Sequence, residues 1–215
     1  RSFGLVNTNG VNIYGILSFI NSNATVNTNS VGNNIGLTMK STADSTSRIA
    51  DLTIHAFDGS TLTGNNILGN VLVERYISGS ANRAWRLLGP TVNTTTSIRE
   101  NWQEGTNNPN TTTNNNPVPG YGCYITGSGG NTYGFDVTQT NAASLYNYSQ
   151  NTDSWITVPN TNATSLDAKK GYLLYIRGGR DNLSYLNGSL ASGNTTLRTV
   201  GTLLTGTQTY TGLNS

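Results

Sequence analysis

The residue types that usually carry chemistry are scarce in this chain. One histidine, His55, and one cysteine, Cys123, cannot assemble a zinc site, which takes about four nitrogen or sulfur ligands. A Ser-His-Asp triad would have to recruit His55, and the sequence contains neither a Gly-x-Ser-x-Gly elbow nor a Gly-x-x-x-x-Gly-Lys phosphate loop. His55 therefore reads as a surface or sheet-edge residue. Glu100 and Glu104 stand at i, i+4 and could face one cleft as the paired carboxylates of glycoside hydrolysis. Glu100 also falls three residues after Ser97, where a helical capping box places a glutamate. The helix-end reading is the simpler one, and no catalytic residue is expected. Asp136, Asp153, Asp167 and Asp181, with asparagine side chains and carbonyls, leave calcium open as a ligand, although no Asp-x-Asp-x-Asp-Gly loop appears. No other cofactor is expected.

Three indoles offer a different chemistry. Trp85, Trp102 and Trp155 carry flat apolar faces on which a sugar ring can stack, with Asn, Arg and Asp supplying hydrogen bonds around it. Trp102, Trp155 and Asp136, with the polar, proline-bearing loop 106–120, are the candidate ligand contacts. Several arginines neighbour aromatics. Arg75 and Arg86 lie in apolar strands, where a buried guanidinium needs a carboxylate such as Glu74, Glu100 or Asp181, or several carbonyls.

Composition narrows the elements that can position these groups. Only 10% of the 215 residues are charged, against about 25% in a soluble protein, so the surface is solvated mainly by neutral amides and hydroxyls. There are about 30 asparagines and a similar number of threonines, which suit turns and half-exposed strands and are poor helix formers. A net charge of +2 gives no basic footprint for nucleic acid. The longest apolar run, Ile16 to Ile20, is far short of the roughly 18 residues of a membrane helix, so no membrane insertion is expected. Eleven tyrosines, three tryptophans and four phenylalanines supply enough apolar area for a packed core. Beginning at Arg1, the chain reads as a mature or trimmed product.

Periodicity predicts strands almost throughout. Val11, Ile13, Gly15, Leu17 and Phe19 share one face of a strand, and Asn12, Tyr14, Ile16, Ser18 and Ile20 the other. The first sixty residues suggest the rungs of a solenoid or the hairpins of a sandwich, too irregularly spaced to define a repeat. The clearest strand spans Val71 to Ile77, and the run Ala84 to Leu88 stops at Gly89-Pro90. Further strands are predicted at Tyr121 to Thr126, Ala143 to Tyr148, Ser154 to Val158, Gly171 to Ile176 and Thr196 to Leu204. One helix is predicted over Ser97 to Gly105, anchored by Ile98 and Trp102.

The phrases "ERYISG" and "NRAWRLLG", followed in order by "IRENWQEGTNNPN", "NNNPVPGYG", "ITGSGG", "GFDVTQTN" and "KKGYLLYIRGGR", resemble the large secreted surface proteins of Bacteroidota exported by type IX secretion. The likeness covers roughly residues 66–213, and the first sixty residues resemble the β-strand-repeat text that often precedes such a module. It implies an extracellular or cell-surface, adhesin-like location and carries over no catalytic residues.

The expectation is thus an all-β chain. Residues 1–64 would form a strand-rich, repeat-like or strand-donating segment, and residues 65–215 a jelly-roll-like β-sandwich with one short helix near 97–104. The function expected is a structural or adhesive surface module, self-assembling through terminal strands that include Val11, Ile13, Leu17, Leu203, Tyr210 and Leu213. Its partners would be copies of itself, neighbouring modules of the same polypeptide, or surface polysaccharide. A carbohydrate-binding module is the alternative.

Overall fold

The computed structural model describes residues 10–19, 23–28, 36–50, 52, 64–105, 118–188, 191–205 and 208–209. These residues form an all-β fold of thirteen strands with two four-residue helices. The chain opens with β1 (Val11–Ile13), β2 (Ile16–Leu17) and β3 (Thr25–Asn27), then β4 (Leu37–Met39), β5 (Arg48–Ile49) and β6 (Asn66–Leu68), and then β7 (Asn70–Ile77). Each group stacks in parallel on the one before it: β1 pairs β4 and β4 pairs β7, β2 pairs β5, and β3 pairs β6. Such stacking is that of a β-solenoid, in which one turn of chain lays its strands on the next.

Alternation explains why these residues fold so. Val11, Ile13, Leu17 and Phe19 pack with Leu37, Met39, Ile49, Ile67, Val71 and Val73 in one interior cluster, while Tyr14 and Ile16 are exposed. The division of faces matches the sequence pattern, yet the predicted single strand is broken at Tyr14-Gly15 into β1 and β2. A corner there keeps the alternation while turning the chain onto the next face. Unequal connections hide the repeat: Val11 lies opposite Leu37, Thr38 opposite Leu72 and Thr25 opposite Asn66.

The remainder comprises β8 (Ala84–Leu88), β9 (Val92–Thr94), α1 (Ile98–Asn101), β10 (Leu145–Ser149), β11 (Ser154–Thr157), β12 (Tyr172–Ile176), α2 (Ser184–Asn187) and β13 (Thr195–Leu203). β7 belongs to both halves of the molecule. One of its edges pairs in parallel with β4, and the other pairs antiparallel with β13 from Asn70–Thr202 to Ile77–Thr195. The resulting sheet has the order β1-β4-β7-β13-β9. Residue 64 precedes β6, which still forms part of the solenoid wall.

A second sheet, ordered β11-β10-β12-β8, is antiparallel throughout. One core joins the two sheets: Ile77 and Leu197 come from the first, and Leu145, Tyr172, Leu174 and Ile176 from the second. Ile98, Trp102, Cys123, Ile125, Phe135, Val158 and Leu166 complete it. Burying each such large side chain stabilises the fold by about 1.5–3 kcal/mol.

The capping box forms as the spacing predicts: Ser97 Oγ accepts from Glu100 N–H at 3.2 Å, and the Glu100 carboxylate accepts from Ser97 N–H at 2.9 Å. The helix is shorter than predicted because Glu104 (φ 55°) and Gly105 (φ 68°) turn left-handed, and Gly105 N–H closes back on Arg99 O at 2.7 Å. The strand predicted at 121–126 is an irregular buried segment. Its backbone donors find other partners: Cys123 N–H donates to Trp102 O, Ile125 N–H to the Asp136 carboxylate, and Thr126 N–H to Ser144 Oγ.

Candidate functional site

Two of the three candidate ligand contacts lie inside the protein. Trp102 is 3% exposed, with its ring edge-on to Tyr172 at 5.5 Å, so its indole is packed into the core rather than set on the outer surface. Asp136 is 0% exposed and pairs with Arg180, itself 1% exposed. The Asp136 carboxylate also accepts from Ile125 N–H at 2.8 Å and Gln103 Nε2 at 3.1 Å. Arg180 donates to Gln103 O at 2.6 Å, and its carbonyl accepts from Tyr124 OH at 3.0 Å. Gly178, at φ 105°, makes the turn after β12 that leads the chain to this arginine. A Cβ there would meet Gly193 N at 2.5 Å. Burial pushes the Asp136 carboxyl up, while the Arg180 charge and the hydrogen bonds pull against it. Burial likewise raises the Cys123 thiol to about 11. This network holds the turn after α1, at Gln103, and the loops at 122–126, 134–136 and 178–181 together as an internal tie.

Glu100 and Glu104 do not converge. Glu100 is engaged in its cap, and Glu104 makes a two-pronged pair with Arg198 at 3.0 and 2.6 Å. Arg198 also stacks on Tyr121, 4.0 Å from the ring centroid. On the neighbouring strand Glu74 pairs with Lys40 at 2.6 Å and accepts from Ser41 N–H, binding the turn after β4 to β7. Lys40, Glu74, Arg198 and Glu104 thus alternate in sign across the junction of the solenoid with the two-sheet half. The four calcium candidates are dispersed: Asp136 serves Arg180, Asp153 accepts from Tyr148 OH, Asp167 caps Lys169 N–H, and Asp181 accepts from Gly120 N–H. Among the described residues no three His, Cys, Asp or Glu side chains gather to hold a metal. Arg75 and Arg86 are exposed and need no buried partner; the arginine that does is Arg180.

Trp155 is 39% exposed on β11, propped edge-on by Tyr148 at 5.4 Å. It stands at one end of an aromatic outer face on the second sheet. The register puts Trp85 opposite Tyr175, Leu87 opposite Leu173, Leu173 opposite Tyr146 and Tyr148 opposite Trp155, all turned away from the core that Leu145, Leu174 and Ile176 enter. Trp85 is 43% exposed and braced by Tyr175 at 5.1 Å and Tyr146 at 5.6 Å. Trp85 was visible in the sequence as one of three indoles. Tyr175 stood out only as the aromatic neighbour of Arg177 in "YIR", and Tyr146 in no motif. The signal that would have placed both on the outer face is alternation within "LYNYS" and "YLLYIR", where every second residue faces outward.

Of the expected assembly residues, Val11, Ile13, Leu17 and Leu203 pack into the solenoid interior, and their strands are paired within the chain. Tyr210, Leu213, His55 and the loop 106–117 lie outside the described residues. Compared with protein-family models, with curated proteins and with solved structures, the chain has no significant match, and its function is argued from the geometry above.

Proposed function

We propose that the chain is a non-enzymatic structural and adhesive module of a secreted surface protein, in which the two-sheet half closes one end of a β-solenoid. The observation carrying this reading is the double role of β7, parallel to β4 on one edge and antiparallel to β13 on the other. A solenoid presents unpaired strand edges at its ends, and such edges recruit further strands unless covered. Here β13 covers β7, and the ion pairs of Glu74 and Arg198 reinforce the seam on either side. Among the described residues β1, β2 and β3 are each paired on one side. That edge suits a further rung of the same polypeptide or a copy of it. The test of location is antibody labelling of the source cells. Labelling of intact cells is expected, and label that appears only after permeabilisation overturns the reading. Mass photometry addresses assembly: concentration-dependent oligomers fit addition at the β1 edge, whereas a strict monomer confines the module to a closing role.

A carbohydrate-binding role is the second reading, favoured by the aromatic outer face of the second sheet. It centres on Trp155 and Trp85, with Trp102 and Asp136 withdrawn from it by burial.

A further inference from the structure

We propose that the outer face of the β11-β10-β12-β8 sheet binds a uronate-bearing polysaccharide, the sugars stacking on Trp85 and Trp155 and a uronate carboxylate docking on Arg83 and Arg177. This rests on the carbohydrate reading and adds to it the class of sugar and the residues that recognise it.

Charge placement is the argument. The β8–β12 ladder ends at Ala84 opposite Ile176, and its register, continued one step, sets Arg83 opposite Arg177 on the same face as Trp85 and Tyr175. Like charges directly opposite across a sheet destabilise it, so two facing arginines call for an anion. Among the described residues their acceptors are neutral: Arg83 donates to Ser184 O and Arg177 to Leu186 O, each at 3.2 Å, and Arg177 also reaches Thr126 Oγ1 at 3.5 Å. Nε of both arginines is buried without a hydrogen-bond partner. Burial, followed by the neighbouring Arg83 charge, pushes the Arg177 guanidinium down, as two adjacent cations require. The carboxylate that acts on Arg177 is Asp136, already paired with Arg180. Neither Arg83 nor Arg177 takes part in an ion pair among the described residues.

The rings say what carries the anion. Arg177 lies over Tyr175, 5.3 Å from its centroid, and Trp85 stands beside them with Tyr146 and Tyr175 fixing its tilt. An indole held by tyrosine edges loses little rotamer freedom when a sugar settles on it. From the arginine pair through Trp85 and Leu87 to the level of Tyr148 and Trp155 the stripe runs about 20 Å, enough for several sugars in an extended chain. A uronate carboxylate is attached to the ring carbon itself, so its charge sits close to the stacked face, as Arg83 and Arg177 sit one outward step from Trp85 and Tyr175.

The test uses the purified chain and isothermal titration calorimetry with glucuronoxylan oligosaccharides and their carboxyl-reduced, neutral counterparts. Binding is expected in the sub-millimolar range, about tenfold weaker for the reduced form and about tenfold weaker for Trp85→Ala, with most of the loss restored by Trp85→Tyr. In Arg83→Gln the preference for the acidic form should disappear. Equal affinity for acidic and reduced forms, with loss in Trp85→Ala, refutes the uronate assignment and leaves the carbohydrate reading standing. No binding at millimolar sugar, or binding unchanged in Trp85→Ala, refutes both. Tighter binding to oligodeoxythymidylate, lost in Trp85→Ala, overturns the proposal in favour of nucleic acid.

Discussion

Replacing Asp136 by Asn tests the internal tie at its centre. The substitution keeps the shape and an acceptor for Ile125 N–H but removes the charge opposite Arg180, leaving a guanidinium that is 1% exposed without its counter-ion. Breaking a buried pair from one side costs about 3–5 kcal/mol, because the remaining charge is uncompensated. Arg180→Met, which strands the carboxylate instead, should cost a similar amount. Domains of this kind have about 5–15 kcal/mol to lose, so either variant approaches the threshold of unfolding. The double variant leaves no charge buried at this site. Its remaining deficit is Gln103 O, which loses the donor now at 2.6 Å, a cost of about 1–3 kcal/mol. The double variant is therefore expected to be more stable than either single one, with a coupling energy of about 3 kcal/mol or more. Urea unfolding followed by tryptophan fluorescence measures all four corners of the cycle, and Trp102, packed on Tyr172, reports on the core. Additive losses, or single losses under about 1 kcal/mol, would refute the claim that Asp136 and Arg180 act as a coupled buried ion pair.

Three further outcomes are expected. The Cys123 thiol is raised from 9.0 to about 11 by burial, so the folded state holds its proton more tightly than the unfolded chain does. The stability this contributes is complete below pH 9 and is lost as pH rises from 9 through 11, by about 3 kcal/mol. Urea midpoints should fall less steeply over that window in Cys123→Ala, and an identical slope contradicts the assignment. Gly201→Ala would place a Cβ 2.0 Å from Asn93 O on β9, forcing the strands apart at a cost of about 1–3 kcal/mol. Gly171→Ala, which meets nothing within 4 Å, is the control, and equal melting temperatures for the two variants would count against this close approach. Glu104→Gln should destabilise the chain by about 1–3 kcal/mol through loss of the two-pronged Arg198 contact. A thermal melt identical to that of the parent would show that the junction does not depend on the pair.

What the sequence determined on its own follows from local physics. A chain rich in asparagine and threonine, with short alternating apolar runs and scarcely any helix-period pattern, forms strands. The end of β8 at Gly89-Pro90 and the Ser97–Glu100 capping box were legible because each depends on residues adjacent in the chain. The inward face of residues 11–19 was legible for the same reason, since alternation survives the corner at Tyr14-Gly15. Only the tertiary structure decided what depends on contacts distant in sequence. Unequal connections between β1, β4 and β7 mask the stacking of the solenoid, and no local feature of β7 announces that it pairs with strands on both sides in opposite senses. Trp102 and Asp136 are types that often bind ligands, but here the indole fills a core assembled from both sheets and the carboxylate meets Arg180, an arginine from a different loop. Arg83 and Arg177 lie far apart in the chain and become a pair only when β8 and β12 align. Burial and charge neighbourhood are properties of the assembled sheets, and residue type alone does not carry them.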